Sequence, residues 1–418
     1  MTEFATPRGT VDILPEDWPY WDFVIETARR IAELYGYRRI ETPTLGEVSL
    51  YVRATGEATD IVQKEMYAFR DQGGDDLTLR PEGTAPVVRA YFQHGMNRLP
   101  QPVKLFYIER MYRREAPQRG RLREHHQFGC EAIGSPDPGV DVEMLALLVQ
   151  FYRELGLSGL ELHLNSMGDG ACRPAYLQAL TGYLRTHQDE LSGLDQGRLS
   201  RNPLRVLDTK EAKSRDVVSG APSILDYLCE PCREHWNAVR AGLDALDIGY
   251  QIDPALVRGL DYYTRTVFEF QAPHDGAQSA VGGGGRYDGL AETIGAPPTP
   301  GIGFGSGIER LILTIKEQGL EPPLATRPRV YVAHLGADAA TVASRVSTAL
   351  RAAGIVTLVS FGSRSMKAQM KAANTAGAAY ALIIGEDEVG AGAVTMRDLE
   401  TGAQTAIPES EIVSAITP

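Results

Sequence analysis

Two strand patterns, Lys104 to Arg114 and Arg123 to Ile133, flank the charged, Pro- and Gly-containing segment Glu115 to Leu122 and read as a long-looped hairpin. Further strands are predicted at Leu160 to Ser166, Tyr262 to Gln271 and Gly301 to Gly305, with helices over Asp141 to Glu154 and Ser306 to Gln318. Strands follow one another without regular intervening helices. That succession favours an antiparallel or mixed sheet over a doubly wound one, and so an α+β fold.

The rest of the chain fits around this sheet. Val24, Ile25, Ala28, Ile31, Ala32 and Leu34 share one face of a helix predicted over Trp21 to Leu34, with Gly36 at its stop. Tyr37 to Pro43 follows as a short strand ended by a proline that cannot donate to a ladder. From about Gly170 to Gly249 the pattern turns helical and polar, an insertion between strand-rich stretches. A linker with Pro322 and Pro323 precedes a final unit in which apolar runs at Arg329 to Ala333, Ile355 to Ser360 and Ala379 to Ile384 alternate with helices at Asp338 to Ala352 and Ser365 to Ala376. That alternation describes a small α/β domain. The expected division is 1–169 with 250–322, an insertion over 170–249, a linker over 323–328, and a last domain over 329–418. With 418 residues, more than one core is required, since single cores stop growing near roughly 250–300 residues.

The net charge of −12 means that any nucleic-acid contact must be local, and Arg110, Arg113, Arg114, Arg119, Arg121 and Arg123 form either such a strip or a solvated loop. Four cysteines do not make a disulfide framework, Met1 to Asp12 lacks an apolar core, and no run approaches the roughly 18 apolar residues of a span. A cytoplasmic chain with no membrane association is expected.

No Gly-Lys-Ser/Thr phosphate loop is present, and Gly301-x-Gly303-x-Gly305-x-Gly307 lacks the spacing of a dinucleotide fingerprint. ATP, if used, falls to arginines, whose planar fork grips phosphate and stacks on purines. Arg113, Arg258 and Arg310 are the candidates. Glu82 and Thr84 either cap the helix that follows them or accept from a ligand ammonium. The run Gly282 to Gly285 is either a flexible loop or a floor under a small ligand. Cys229 and Cys232 have the spacing of half a zinc site, but no second pair follows, and His125-His126 lacks a third ligand. No protein-held metal or organic cofactor is expected.

Three segments carry a specific resemblance. Tyr35 to Leu45, Met111 to Glu115 with Gln127 to Glu131, and Gly303 to Arg310 resemble the three motifs of class II aminoacyl-tRNA synthetases. Leu256 to Glu269 and Gly283 to Gly289 are similar to the histidyl-tRNA synthetase family within that class, and the likeness spans essentially the whole chain. It implies a class II core with an antiparallel sheet flanked by helices, a homodimer, and a C-terminal anticodon-binding domain. The substrates implied are L-histidine, ATP with Mg2+, and the tRNA for histidine.

Site roles follow from the same resemblance. Arg113 would hold the α-phosphate, Glu115 the adenine amine, and Arg310 the purine and γ-phosphate. Arg258 would stabilise charge at the α-phosphate, in a site free of histidine side chains and without a general base. Glu82, Thr84 and Gln127 would bind the α-amino group, Glu131 and Tyr263 the imidazole, with Gly83, Arg113, Arg258 and Tyr262 lining the same pocket. Gln118, Arg119 and Arg121 would touch the tRNA acceptor end, where Ala116 and Leu122 depart from the family's commoner arginine and tyrosine. The alternative is a histidine-binding regulatory relative of a histidine-biosynthetic phosphoribosyltransferase that does not aminoacylate.

Overall fold

The computed structural model describes residues 4–57, 59–273, 280–323 and 329–416. The chain divides into two compact units, Met1–Pro323 and Leu324–Pro418. The expected linker, 323–328, lies outside the described residues apart from Pro323.

The first unit opens with α1 (Trp18–Leu34), which buries Trp21, Val24, Ala28, Ile31 and Ala32 at helical spacing and stops at Gly36, φ +78. Leu34, assigned to that face from sequence, ends the helix exposed. There follow β1 (Arg38–Arg39), β2 (Leu45–Glu47), α2 (Val48–Thr55), β3 (Tyr67–Arg70), β4 (Asp76–Leu79), α3 (Thr84–Gln93), β5 (Val103–Tyr112), β6 (Glu124–Ile133), α4 (Pro138–Glu154) and β7 (Glu161–Ser166). A helical stretch comes next: α5 (Arg173–Thr186), α6 (Gly193–Arg201), α7 (Leu204–Leu207), α8 (Arg215–Ser219) and α9 (Glu230–Ala245). The chain returns through β8 (Gln251–Ile252), β9 (Thr264–Gln271), β10 (Ala280–Arg286), α10 (Leu290–Thr293), β11 (Gly301–Gly307) and α11 (Ile308–Glu317).

Eight of these strands form one sheet in the order β1-β5-β6-β11-β10-β9-β7-β8. Only the edge pairs β1–β5 and β7–β8 are parallel. A smaller antiparallel sheet joins β2, β4 and β3. One continuous apolar core unites α1, α4, α9, α11 and the large sheet, with Val24, Ile31, Phe106, Phe128, Leu148, Val239 and Leu311 among its members.

The strand predicted over Tyr37 to Pro43 is shorter than expected. Arg38 and Arg39 pair with Leu105 and Phe106, and the Ile40 N–H still donates to the Phe106 carbonyl at 2.9 Å. At Thr42 side chains take over from the ladder. Its N–H donates to Glu109 Oε1 at 2.6 Å, and its carbonyl accepts from Arg80 Nη1 at 2.6 Å. Arg80 and Glu109 are themselves a buried ion pair at 2.6 Å, so the proline-ended segment is fixed by a charged clamp.

The second unit contains β12 (Arg329–His334), α12 (Ala337–Ala352), β13 (Val356–Val359), α13 (Met366–Thr375), β14 (Tyr380–Ile384), α14 (Glu386–Ala391), β15 (Ala393–Asp398), β16 (Gln404–Pro408) and α15 (Ile412–Ile416). Its sheet runs β13-β12-β14-β15-β16, parallel at first and antiparallel over the last two pairings. Alternate residues of β12 feed two cores: Val330 and Val332 pack with α12, while Tyr331 and Ala333 pack with Ala373 and Ala381. The β15–β16 hairpin was not expected from sequence. Its strands carry few large apolar residues, and the Asp398 carboxylate closes the turn by accepting from the Glu400 and Thr401 N–H groups.

Candidate active site

The register of β6, β11, β10 and β9 sets glycines opposite one another at the centre of the large sheet. Gly283 faces Gly305 and Gly285 faces Gly303, and the same rows continue to Gly129 and Glu131 on β6 and to Glu269 and Val267 on β9. Cross-strand partners project from one face, so these glycines clear that face of side chains. A Cβ at Gly303 would overlap Glu131 Oε2, and one at Gly305 would overlap Gln127 Nε2. At Gly283 it would fall 2.8 Å from Arg258 Nη1, and at Gly285 3.0 Å from Tyr263 Cδ1. The glycine run, read from sequence as loop or floor, is therefore a buried strand across which polar side chains lie flat.

A cluster of acids and hydroxyls stands on this floor. Thr84 Oγ1 donates to Glu131 Oε1 at 2.7 Å, and Tyr287 Oη donates to Oε2 at 2.6 Å. Burial outweighs those two donors and pushes the Glu131 carboxyl up to about 8. Glu82 accepts from the Thr84 N–H at 2.8 Å and the Ala85 N–H at 3.0 Å, which realises the helix cap weighed from sequence. Burial raises its pKa against those bonds and the pull of Arg113. Each Glu82 oxygen keeps a second lone pair. Gly83 is the N-cap of α3, and a Cβ there would overlap the ring of Tyr107, which is buried beneath it.

The rings of Tyr262 and Tyr263 lie 4.8 Å apart, and Tyr262 meets Tyr287 edge-on at 6.0 Å. Burial raises both phenols, so they stay protonated donors. Neither belongs to the strand predicted from Tyr262, which begins at Thr264. The Tyr263 carbonyl instead accepts from Arg173 Nη2, and Arg265, at φ +46, turns to donate to the Gly168 carbonyl at 2.7 Å.

Arginines border the cluster. Arg258 Nη1 is paired with Glu269, and its buried Nε has no partner among the described residues. Burial acts to lower the Arg258 pKa, but the Glu269 carboxylate prevails and raises it. Arg113 Nε donates to the Pro81 carbonyl at 2.8 Å, and its Nη1 lies 3.9 Å from Glu115. Arg310 donates to the carbonyls of Gly120 at 2.9 Å and Ala280 at 2.6 Å, joining the β5–β6 loop to β10. Burial, then the charge of Arg121, lowers its pKa.

The three residues expected at the acceptor end sit on that loop without converging. Gln118 and Arg121 close a turn by reciprocal backbone bonds of 3.1 and 2.9 Å. Arg121 Nε pairs with Glu115 at 2.6 Å, whereas Arg119 reaches outward to Glu317 at 2.5 Å. The basic strip read from sequence is thus partly neutralised, since Arg110 also pairs with Glu124 at 3.2 Å.

One expectation fails. The site is not free of histidine: His125 lies within the fields of Arg113 and Arg310, and burial first, then those two charges, push its imidazole down to about 3. It is neutral there. His126 points the other way, 2.8 Å from Glu309, because neighbours on a strand face opposite sides. Sequence reasoning also missed Tyr107, Tyr287 and Glu269. The signal was available in β5 and β6, where Tyr107 pairs with Gly129, a large residue opposite none. Cys229 and Cys232, read as an isolated pair, are joined in space by Asp169 and Cys172.

A family model described as Histidyl-tRNA synthetase matches residues 9–311, and one described as Anticodon binding domain matches residues 329–417. The chain is 48% identical over 413 residues to the histidine–tRNA ligase of Dehalococcoides mccartyi, covering 99% of each. It is 49% identical over 409 residues to that of Moorella thermoacetica, covering 98% of this chain and 97% of the relative. The apo crystal structure of S. aureus histidyl-tRNA synthetase superposes with a TM-score of 0.83 at 36% identity, over 99% of both chains. On these matches and this geometry, the chain belongs to the histidyl-tRNA synthetase family.

Proposed function

We propose that the chain is a histidine–tRNA ligase that activates L-histidine with ATP and passes the histidyl group to the 3′ end of its tRNA. In the first step a histidine carboxylate oxygen attacks the α-phosphorus, an acyl–phosphate bond forms, and pyrophosphate leaves. In the second the terminal ribose hydroxyl attacks the histidyl carbonyl, and AMP leaves. The observation that carries this reading is the glycine floor, where the hydroxyl and carboxyl cluster around Glu131 stands beside Arg258, Arg113 and Arg310.

A neutral imidazole has one N–H donor and one acceptor nitrogen. Glu131 accepts from the first and Tyr263 donates to the second, while Tyr262 closes the wall beside them. A site that satisfies both nitrogens rejects apolar amino acids by leaving its own polar groups unpaired. Glu82, Thr84 and Gln127 take the α-amino group, with Gly83 bringing their backbone close. The carboxylate is already a nucleophile at neutral pH, so positioning and charge stabilisation suffice without a general base. Arg258 and Arg113 stabilise charge at the α-phosphate, Glu115 meets the adenine amine, and Arg310 holds the purine and the γ-phosphate. Mg2+ enters with ATP as part of the substrate. Gln118, Arg119 and Arg121 approach the acceptor end. The same reading has the chain work as a cytoplasmic homodimer.

The regulatory alternative is not favoured. All three arginines are present, and residues 329–417 match an anticodon-binding domain, for which a histidine sensor has no use. Histidine-dependent exchange of labelled pyrophosphate into ATP tests the choice. Exchange is expected with histidine alone among the amino acids, with a fall of at least about 100-fold in Arg258→Ala. Histidine binding without exchange in the wild type would sink the ligase reading.

A further inference from the structure

After β7 the chain passes through Asp169-Gly170-Ala171-Cys172, and α9 is preceded and opened by Cys229-Glu230-Pro231-Cys232. Both segments set two potential ligands three residues apart at the start of a helix. Cys172 is the N-cap of α5 and Cys229 the N-cap of α9, each with a proline in the first turn. Although Asp169 and Cys229 are 60 residues apart in sequence, Cys229 Sγ lies 3.6 and 3.8 Å from the two Asp169 oxygens. Cys172 Sγ lies 3.5 Å from Asp169 Oδ1, and all four ligand atoms fall within 4.8 Å of one another. A tetrahedral zinc ion with Zn–S near 2.3 Å and Zn–O near 2.1 Å sets its ligand atoms roughly 3.5–3.8 Å apart.

The surroundings suit such an ion. Cys172 and Cys232 are buried, while Cys229 and Asp169 reach solvent and leave a path of access. Gly168 has φ +59, and a Cβ there would fall 2.6 Å from Cys172 Sγ, with Ile224 and Leu228 forming an apolar wall beyond. The Asp169 N–H donates to Cys172 Sγ at 3.2 Å, and the Ala171 N–H to Asp169 Oδ1 at 2.9 Å, so two ligands are already oriented by backbone. Arg173, next in sequence, lies in the field of Cys172, Asp169 and Cys232 and donates to the carbonyls of Met167 and Tyr263.

We propose that Asp169, Cys172, Cys229 and Cys232 bind one zinc ion that staples the first and last helices of the helical stretch together. The site is structural: four protein ligands fill a tetrahedron and leave no open position. It stands independently of the reaction proposed above.

The test uses the full chain without a histidine tag, purified from zinc-supplemented medium without chelators. Elemental analysis should find about one zinc per chain. The reduced, metal-stripped protein titrated with Co2+ should develop the visible bands of tetrahedral thiolate coordination, saturating at one equivalent. Cys232→Ser should lose both signals. Asp169→Cys should retain saturation at one equivalent and shift the bands, a result that a merely misfolded variant cannot give. Removing the metal should lower Tm, and adding zinc should restore it. A wild-type chain that contains no metal and gives no Co2+ bands when fully reduced overturns the proposal. So does a purified chain with two of its four thiols missing by titration and no metal, which would mean a disulfide there instead.

Discussion

The two larger sheets of this chain solve opposite problems. In the C-terminal unit β12 and β14 are made of Val330, Val332, Leu382 and Ile384, residues that suit strands and fill the core beside them. At the centre of the large sheet β10 reads Ala-Val-Gly-Gly-Gly-Gly-Arg and β11 has glycine at alternate positions. Glycine weakens a strand by roughly 0.5–1 kcal/mol per residue relative to alanine. Those strands are therefore held from outside, by ladders on both sides and by Arg286, whose guanidinium is buried against Asp141 at 2.7 Å. The first sheet is filled to be stable. The second is emptied to hold something, and its stability is supplied by its neighbours.

That contrast can be broken most sharply at Gly303. The substitution Gly303→Ala adds a methyl group where Glu131 Oε2 lies. Histidine-dependent pyrophosphate exchange should fall by roughly 100-fold or more, because displacement of about 1 Å at such a site has that effect. Circular dichroism should stay native. Unchanged kcat/KM for histidine would mean that the empty face is not a floor. The converse substitution is Leu382→Ala in the filled sheet, where Leu382 is fully buried. It should destabilise the C-terminal unit by roughly 2–5 kcal/mol in urea unfolding. tRNA charging should suffer while pyrophosphate exchange survives, and a parallel loss of exchange would erase the distinction.

A smaller effect sharpens it through pH. The Glu131 carboxyl is raised by burial from an ordinary 4.5 to about 8, so the folded chain holds a proton that the unfolded chain releases. This contribution to stability is fully present below about 4.5 and is lost as pH rises to about 8. Glu131→Gln, which stays neutral, should flatten the fall in Tm of the ligand-free chain between pH 5 and 8. Parallel Tm curves for the two proteins would show that Glu131 is already ionised in the ligand-free fold.

How much was legible follows the same divide. The β5–β6 hairpin, α4, α11 and the three strands of the second unit that carry large apolar residues announce themselves by periodicity. β10 does not, since its composition contradicts its state, and the residues alone leave its glycines as either a flexible loop or a floor under a small ligand. The strand after α1 was read too long because nothing in Tyr37 to Pro43 reveals that Arg80 and Glu109 will occupy Thr42. His125 went unassigned for the opposite reason: its doublet suggested metal, whereas strand alternation sends the two imidazoles to different faces. The Asp169 partner of the cysteines is hidden by its distance along the chain, upstream of Cys229 and Cys232, and by being an aspartate where half a zinc site asks for a second cysteine pair.

The glycine floor also bears on drug resistance. An inhibitor whose contacts are with the backbone of β10 and β11 meets a surface that has no side chain to exchange. Any substitution at Gly283, Gly303 or Gly305 begins by adding a Cβ that collides with a group of the site itself, and at Gly285 one that collides with the Thr266 carbonyl. Under the proposed function, a substitution that expels such a compound also disturbs the pocket for histidine.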